Sequence, residues 1–437
     1  MRDLLVVLPV VIGCLLALRQ PWIGVLVWTW LSIMNPHRLT YGFAYSAPLA
    51  AMAAGTTLLG LLFTRERGWP FKGPPVVWLA LLMLWLNLSW IFAQDRAGDQ
   101  EVWSKVMKID FMILVALAVM HSKRHIMGLA WVVAMSLAVL GTKGGIFTIL
   151  TGGSYRTVGP AGSFLDDNNQ FALALIITIP VLRFLQLQVT WRRGRQILGL
   201  MMLLCALAAL GSQSRGALLA LGAMVLAMWW RGNSRVLGGV FIAVAAVAMV
   251  AFMPDSWTER MNTIQTYEED ASAQGRISAW HMAWNAAQDH LFGLGYITWK
   301  PEYFERYSPF PKAVFAAHSI YFQMMGSHGF IGLAIFLSLW ISTWFTAGWL
   351  RKHAAGIEEA RWAADLGNLV QMALLGYAVG GAFLSLAYFD LPYNLMVLVV
   401  LARVWVATRA WEREPPPKPP FWKRKKGGPQ EIQTRTG

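Results

Sequence analysis

Apolar runs long enough to form membrane-spanning helices recur along the whole chain and constrain its fold more than any other feature. A helix needs roughly 20 apolar residues to cross the hydrocarbon layer of a bilayer. The runs that approach this length are 3–34, 45–64, 74–93, 103–120, 125–141, 169–188, 195–211, 215–230, 236–253, 318–350, 365–389 and 391–408. Only 14% of the residues are charged, whereas soluble domains carry about 25%. The sequence therefore predicts an all-α polytopic integral membrane protein.

The first run, 3–34, is longer than one straight span and is interrupted by Arg19, Gln20 and Pro21. We interpret it as one broken helix, which gives twelve transmembrane helices; two short helices would give thirteen. The predicted transmembrane domain covers residues 1–408. The remainder, 409–437, is Pro-rich and basic, and its composition predicts a disordered tail.

The net charge of +14 does not point to nucleic acid, because the basic residues sit in alternate short loops. These loops and the tail read RERGWPFK, SKR, RRGR, RGNSR, RK and WKRKK. The positive-inside rule assigns such loops to the cytoplasm. We therefore expect both termini to be cytoplasmic and the long loop 254–317, with eight acidic and five basic residues, to be periplasmic.

The long loop 254–317 contains an amphipathic segment that predicts a helix from Arg276 to about Asp289, closed by Gly293 and Gly295. Its Trp280 and Trp284 are one turn apart and are suited to the membrane surface. The two cysteines of the chain, Cys14 and Cys205, both fall in apolar runs, so they predict neither a disulfide framework nor a metal site.

Three residues are candidates for chemistry, and the predicted topology brings them to one external interface. Arg215 begins the run 215–230, Arg276 opens the loop helix, and His318 stands where the loop re-enters the membrane. Taken singly, each has a plain interpretation as an anchor or a structural residue. Taken together, two arginines suit the binding of phosphate oxygens, and a histidine can accept a proton from a hydroxyl. The combination indicates chemistry on a lipid-linked phosphate.

Other polar residues carry weaker signals. Lys105 and Lys108, with Asp110 nearby, form either a self-compensating charge cluster or a second phosphate contact. Asp166 and Asp167 are candidate metal ligands, but no partner ligand stands at a suitable spacing, and Asn168-Asn169 fits a helix cap better. We therefore predict no metal and no cofactor. His281 and His328 are interpreted as structural residues.

Three segments in this order, flanking a large external loop, resemble the O-antigen ligase and polymerase superfamily. They read SQSRGALLAL, GRISAWHMAWNAAQDHLFGLG and HSIYFQMMGSHGFIGL. The N-terminal stretch RQPWIGVLVWTWLSIMNPHR is similar to the O-antigen ligase branch and to glycan ligases of exopolysaccharide systems. The resemblance extends over nearly the whole chain.

The resemblance assigns a role to each of the three candidates. The helix-start arginine of the ligase pattern falls on Arg215, its loop arginine on Arg276 and its essential histidine on His318. Two positions depart from the pattern: Ser319 stands where the histidine is usually followed by Asn, and His328 stands where an acidic residue is common. The departures concern the acceptor side and leave the three residues intact.

The resemblance implies a multi-pass protein of the bacterial inner membrane whose active site faces the periplasm. It implies that a glycan passes from undecaprenyl diphosphate to a sugar hydroxyl of lipid A–core by an inverting, metal-independent transfer. Arg215 and Arg276 would bind the diphosphate, and His318 would act as general base.

The sequence leaves other functions open. A polymerase of the same superfamily would extend the lipid-linked glycan, and a protein O-oligosaccharyltransferase would use a Ser or Thr acceptor. A transporter of lipid-linked glycans is a further alternative, although the helix centres, apart from Asp110, are mostly free of the polar residues that transporters tend to carry.

Overall fold

The computed structural model describes residues 2–64, 67–231 and 271–414. The described part is helical and contains no strand. Its helices are α1 (Arg2–Ala17), α2 (Pro21–Met34), α3 (Leu49–Phe63), α4 (Pro74–Ile91), α5 (Arg96–Val119), α6 (Lys123–Leu150), α7 (Asn168–Gln188), α8 (Arg192–Gly211), α9 (Arg215–Arg231), α10 (Ala271–Asp289), α11 (Pro301–Tyr307), α12 (Ile320–His353), α13 (Arg361–Gly381) and α14 (Asp390–Ala407). The predicted span 236–253, the first part of the loop 254–317 and the tail from 415 lie outside the described residues.

Six of the described helices are long and apolar enough to cross a membrane: α4, α6, α7, α8, α12 and α14. Two further apolar helices, α2 and α3, are shorter. The protein is therefore a multi-pass membrane protein, and the number of crossings beyond these six stays a prediction.

The first apolar run forms two antiparallel helices, so its interpretation as one broken helix is wrong. Gly13 of α1 packs against Val27 of α2, and Gly24 approaches Ala17. At the other end of α1, the Asp3 carboxylate accepts a hydrogen bond from the Ala44 amide at 3.0 Å. The chain turns back between α1 and α2 because a proline at the start of α2 cannot continue the preceding helix but fits the first turn of a new one.

The helices place their connections at two ends of the bundle. At the first, the basic end, Gly68 N donates to Ala118 O at 2.8 Å and Lys123 N donates to the Glu414 carboxylate at 3.1 Å. The opposite end, called the site end, gathers the segments 35–48, 92–95, 151–167, 212–214, 290–319 and 382–389, which contact one another or the starts of α7 and α9. Asp3 lies at the site end, whereas Glu414 lies at the basic end. The prediction that both termini share one side is therefore wrong, because the extra turn between α1 and α2 reverses the first helix.

Helix α12 bends sharply at Gly329, where φ is 71° and ψ is −179°. The break releases backbone carbonyls that other groups satisfy. Gly326 O accepts from Leu294 N at 3.0 Å, Ser327 O accepts from Gly295 N at 3.1 Å, and His328 O accepts from the Trp85 indole at 2.8 Å. A kink in an apolar environment is tolerated when the freed groups find such partners. The bend therefore fastens the loop after α10 to the membrane helices.

The loop helix α10 ends at Asp289 as predicted but begins at Ala271, so Arg276 lies in its second turn and does not open it. Gly293 and Gly295 follow with positive φ. Gly326 of α12 sits against Ala283 of α10, where a side chain would not fit. A small hydrophobic core, separate from that of the helix bundle, joins α10 to α11. It includes Ala279, Met282, Ala286, Leu294 and Phe304.

Candidate functional site

His318 is the residue through which the loop after α11 leads into α12. Its φ of 43° lies in the left-handed region, which is uncommon for a residue with a side chain. The Trp280 indole N–H donates to Ala317 O at 2.8 Å, and the Trp280 ring stacks on Phe322 with centroids 4.9 Å apart. Such contacts are what holds a strained backbone in place. The position of His318 is therefore set by the packing of α10 on α12.

Arg276 lies four residues before Trp280 on α10, and residues at this spacing share one face of a helix. Burial lowers the pKa of His318 below its ordinary value, and the positive charge of Arg276 lowers it further. The negative charge of Asp167 acts in the opposite direction on the same pKa. Arg276 and Asp167 are thus electrostatic neighbours of His318. The net lowering leaves the imidazole neutral near pH 7, the state in which it accepts a proton.

Arg215 is the first residue of α9 and is half-buried. The turn before it contains Gln213 with a φ of 56°. Ser214 Oγ accepts from the Ala217 amide at 3.2 Å, which caps the start of the helix. Ser212 O accepts from the Asn168 side chain at 2.7 Å, so the turn is tied to the start of α7.

The start of α7 connects the surroundings of His318 with those of Arg215. Asp167 caps α7 by accepting from Asn169 N at 2.9 Å and Gln170 N at 3.4 Å. Asn168 bonds to the turn before Arg215, and Asp167 acts on His318. Arg215, Arg276 and His318 therefore lie at the same end of the bundle, around the first turn of α7.

The sequence prediction of a cap at Asn168-Asn169 is wrong by one residue, because Asp167 takes that role and Asn168 binds another segment. The carboxylate of Asp167 is thus engaged with backbone amides. Across the ranges that the structure describes, no group of three or more His, Cys, Asp or Glu side chains is placed to hold a metal ion.

The charge cluster predicted on α5 is divided between two environments. The Lys105 amine lies 3.8 Å from the centroid of the Phe164 ring, and its electrostatic neighbours include Asp390 and Asp166. Asp110 is buried, and its Oδ2 has no hydrogen-bond partner within the described residues. Asp110 is not among the charges that act on Lys105, which are those of Asp390, Glu101, Asp166 and Arg38.

The two other histidines of interest differ in environment. His328 is fully buried and bonds through Nδ1 to Ser89 Oγ at 2.7 Å and through Nε2 to Tyr388 OH at 2.6 Å. Both ring nitrogens are satisfied in the protein interior, which is the structural role predicted for His328. His281 is exposed and lines a shallow aromatic groove with Trp280 and Trp284.

Several residues that build the site were not predicted in that role. Asn168 was expected to cap a helix and Trp280 to lie at the membrane surface, but both, together with Gln213, donate hydrogen bonds to backbone groups distant in sequence near the three candidates. The carboxylate of Asp99 accepts from Tyr296 N at 2.8 Å and Ile297 N at 2.9 Å, which anchors the segment between α10 and α11 to α5. The four-residue spacing of Trp280 from Arg276, which places both on one face of α10, was the one local pattern that indicated the role of Trp280. The other partners lie on separate elements and have no local pattern.

Comparison with known proteins adds two family matches. Residues 200–337 match the family described as O-antigen ligase, and this range contains Arg215, Arg276 and His318. Residues 1–190 match a family of unknown function. None of the curated proteins compared with the chain matches it. The match over 200–337 supports the O-antigen ligase and polymerase superfamily, and with it a multi-pass membrane enzyme that transfers glycans, without distinguishing a ligase from a polymerase.

Proposed function

We propose that the protein is an O-antigen ligase that transfers a glycan from undecaprenyl diphosphate to a sugar hydroxyl of lipid A–core. The reaction takes place at the site end of the bundle, which faces the periplasm of a bacterial inner membrane. The alternation of charge supports this orientation, because the segments rich in Lys and Arg gather at the basic end.

The observation that carries the proposal is the hydrogen bond that holds the residue before His318 to Trp280, one turn after Arg276 on α10, together with the effect of Arg276 and Asp167 on the pKa of His318. A neutral imidazole next to a guanidinium is an arrangement for a base that works beside a bound anion. Arg215 enters the same region at the first turn of α9, where a helix N-terminus also favours negative charge.

In the proposed reaction His318 accepts the proton of the acceptor hydroxyl. The acceptor oxygen forms a bond to C1 of the donor sugar while the bond from C1 to the phosphate oxygen breaks. The electron pair leaves with undecaprenyl diphosphate, and Arg215 and Arg276 stabilise its negative charge. One displacement on the face opposite the leaving group inverts the configuration at C1.

A groove of about 430 Å³ between α12 and α13 supports a lipid-carried substrate. It begins at Ile320 and Tyr321, two and three residues after His318, and continues along the membrane helices to Trp344 and Phe345. Its lining is nearly all apolar. A polyprenyl chain in this groove would hold its diphosphate near the three candidate residues.

The test is reconstitution of the purified protein with an undecaprenyl-diphosphate glycan and one of three acceptors: lipid A–core, an acceptor protein or more donor. We expect glycosylated lipid A–core. Extension of the donor instead would indicate a polymerase, and glycosylated Ser or Thr would indicate a protein oligosaccharyltransferase. Failure to form any product would favour transport.

The same assay tests metal independence. Because two arginines supply the positive charge that a divalent cation supplies in other transferases, EDTA should leave the rate unchanged. A rate abolished by EDTA and restored by Mg²⁺ or Mn²⁺ would overturn this mechanism and direct attention to Asp166 and Asp167.

A further inference from the structure

A second cavity lies at the site end, between α6 and the segment 151–167, and it is separate from the groove beside His318. Its volume is about 310 Å³. Two cations, Lys143 and Arg156, line it together with the apolar side chains of Leu39, Leu140, Phe147, Val158 and Phe171. The cavity thus combines a wide apolar wall with two positive charges.

The position of Lys143 on α6 is unusual for a cation. The side chains at the helical spacing around it, Val139, Ile146 and Leu150, are apolar and 45%, 46% and 80% exposed, so this face of α6 is turned toward lipid. Lys143 is itself exposed. A cation within a lipid-facing stripe is costly unless it reaches an anionic group or the headgroup layer.

The protein supplies no acid for these two cations within the described residues. The salt bridges described there join Lys300 to Asp95 and Arg409 to Glu412, and neither involves Lys143 or Arg156. Arg156 donates through Nε to the Gln213 side chain at 3.5 Å, a neutral partner. The positive-inside rule also disfavours Lys and Arg at the end opposite the basic end. A ligand that brings its own negative charge accounts for both cations.

Apolar walls and two cations at one membrane face fit an amphiphile with an anionic head. A phosphate presents several acceptor oxygens to Lys and Arg, and an acyl chain fits against Leu140 and Phe147. We propose that this cavity binds one phosphate-bearing membrane lipid, with the phosphate held by Lys143 and Arg156. Binding of this lipid does not require that the protein transfer glycans.

The bound lipid would also contact the surroundings of Arg215. Gln213, which accepts from Arg156, donates through its side chain to Gly153 O at 3.0 Å and stands two residues before Arg215. A lipid that binds Arg156 in the cavity would therefore help to hold Gln213 and the turn before α9 in place.

The proposal is tested by native mass spectrometry of the full chain. Phosphatidylglycerol is added to the protein in mild detergent, and the detergent is removed in the instrument. We expect one lipid to stay bound to the wild-type protein. The double variant Lys143→Gln/Arg156→Gln should retain at least about tenfold less lipid, since each charge-assisted contact contributes on the order of 1 kcal/mol or more. The matched control, Arg306→Gln/Lys312→Gln, removes two cations from the same end outside the cavity and should retain lipid as the wild type does.

A second variant separates lipid binding from folding. Val158 is 58% exposed and lines the cavity, so Val158→Trp fills the space while keeping both charges, and it should also lose the lipid. Equal retention by the wild type and the double variant would overturn the proposal. Displacement by millimolar inorganic phosphate, or equal retention of phosphate-free diacylglycerol, would overturn it as well.

Discussion

The indole nitrogen of Trp280 donates a hydrogen bond to the carbonyl oxygen of Ala317 at 2.8 Å. This contact joins the helix that carries Arg276 to the residue before His318, whose backbone is left-handed. The proposed general base is thus positioned from a neighbouring helix, while the membrane helix α12 begins only at Ile320.

Trp280→Phe keeps the stacking on Phe322 but removes the hydrogen bond to Ala317. We expect kcat to fall about tenfold with little change in KM, because loss of one hydrogen bond costs about 1 kcal/mol and misplaces the base. Trp284→Phe is the control, since the Trp284 ring packs edge-on against Phe330 and is 48% exposed. Equal rates for both variants and the wild type would show that Trp280 does not position His318.

Replacement of His318 by Ala should lower transfer about 10²- to 10⁴-fold, the usual contribution of a general base. Donor binding should persist, because Arg215 and Arg276 remain. The residual rate should rise with pH as solvent hydroxide takes over the proton. His281→Ala removes an exposed histidine of the same region and should keep its activity. Full activity of His318→Ala would assign His318 a structural role.

Arg215→Lys keeps a positive charge but loses the planar fork that binds two phosphate oxygens. We expect a loss of at least about tenfold in kcat/KM, measured on protein that inserts and purifies normally. Arg306→Lys makes the same change on the short helix α11 and should leave kcat/KM unchanged. A normal rate for Arg215→Lys would indicate that Arg215 only anchors α9 at the membrane surface.

The pH profile reports on the charges around His318. Since the pKa of His318 is lowered from 6.5, the neutral base prevails at pH 7, and activity should fall as the pH drops through that lowered pKa. Asp167→Asn keeps a cap for α7 but removes the charge that raises the pKa of His318. The acidic limb of kcat/KM should therefore move to lower pH. Asp166→Asn, a change of equal size next to it, should leave the limb in place, and a shift toward higher pH in Asp167→Asn would contradict the assignment.

Labelling with a membrane-impermeant thiol reagent tests the topology in spheroplasts. Cysteines at Arg2 and Lys312, both exposed at the site end, should react. A cysteine at Glu358, exposed at the basic end, should be protected until the membrane is opened. Cys14 and Cys205 are buried and give little background. Protection at Lys312 with labelling at Glu358 would invert the orientation and remove the site from the periplasm.

Local patterns along the chain were enough to predict the class of the protein and the ends of most helices. Apolar length is a local property, so the limits of α7, α8 and α9 follow closely from the runs 169–188, 195–211 and 215–230. The end of α10 at Asp289 and the positive φ of Gly293 and Gly295 were likewise local signals. The segments around Arg215, Arg276 and His318 carried the family resemblance without any contact being known.

Other features depend on contacts between segments that are distant in sequence, and these could be seen only in the folded chain. The antiparallel pairing of α1 and α2, and with it the side of the N-terminus, rests on the close approach of Gly13 to Val27, which no local pattern reveals. The break at Gly329 requires partners supplied by Leu294 and Gly295. The lowered pKa of His318 follows from burial and from the positive charge of Arg276 on α10, against the opposing negative charge of Asp167 before α7. Burial and Coulomb interactions act through space, and only the fold sets those distances.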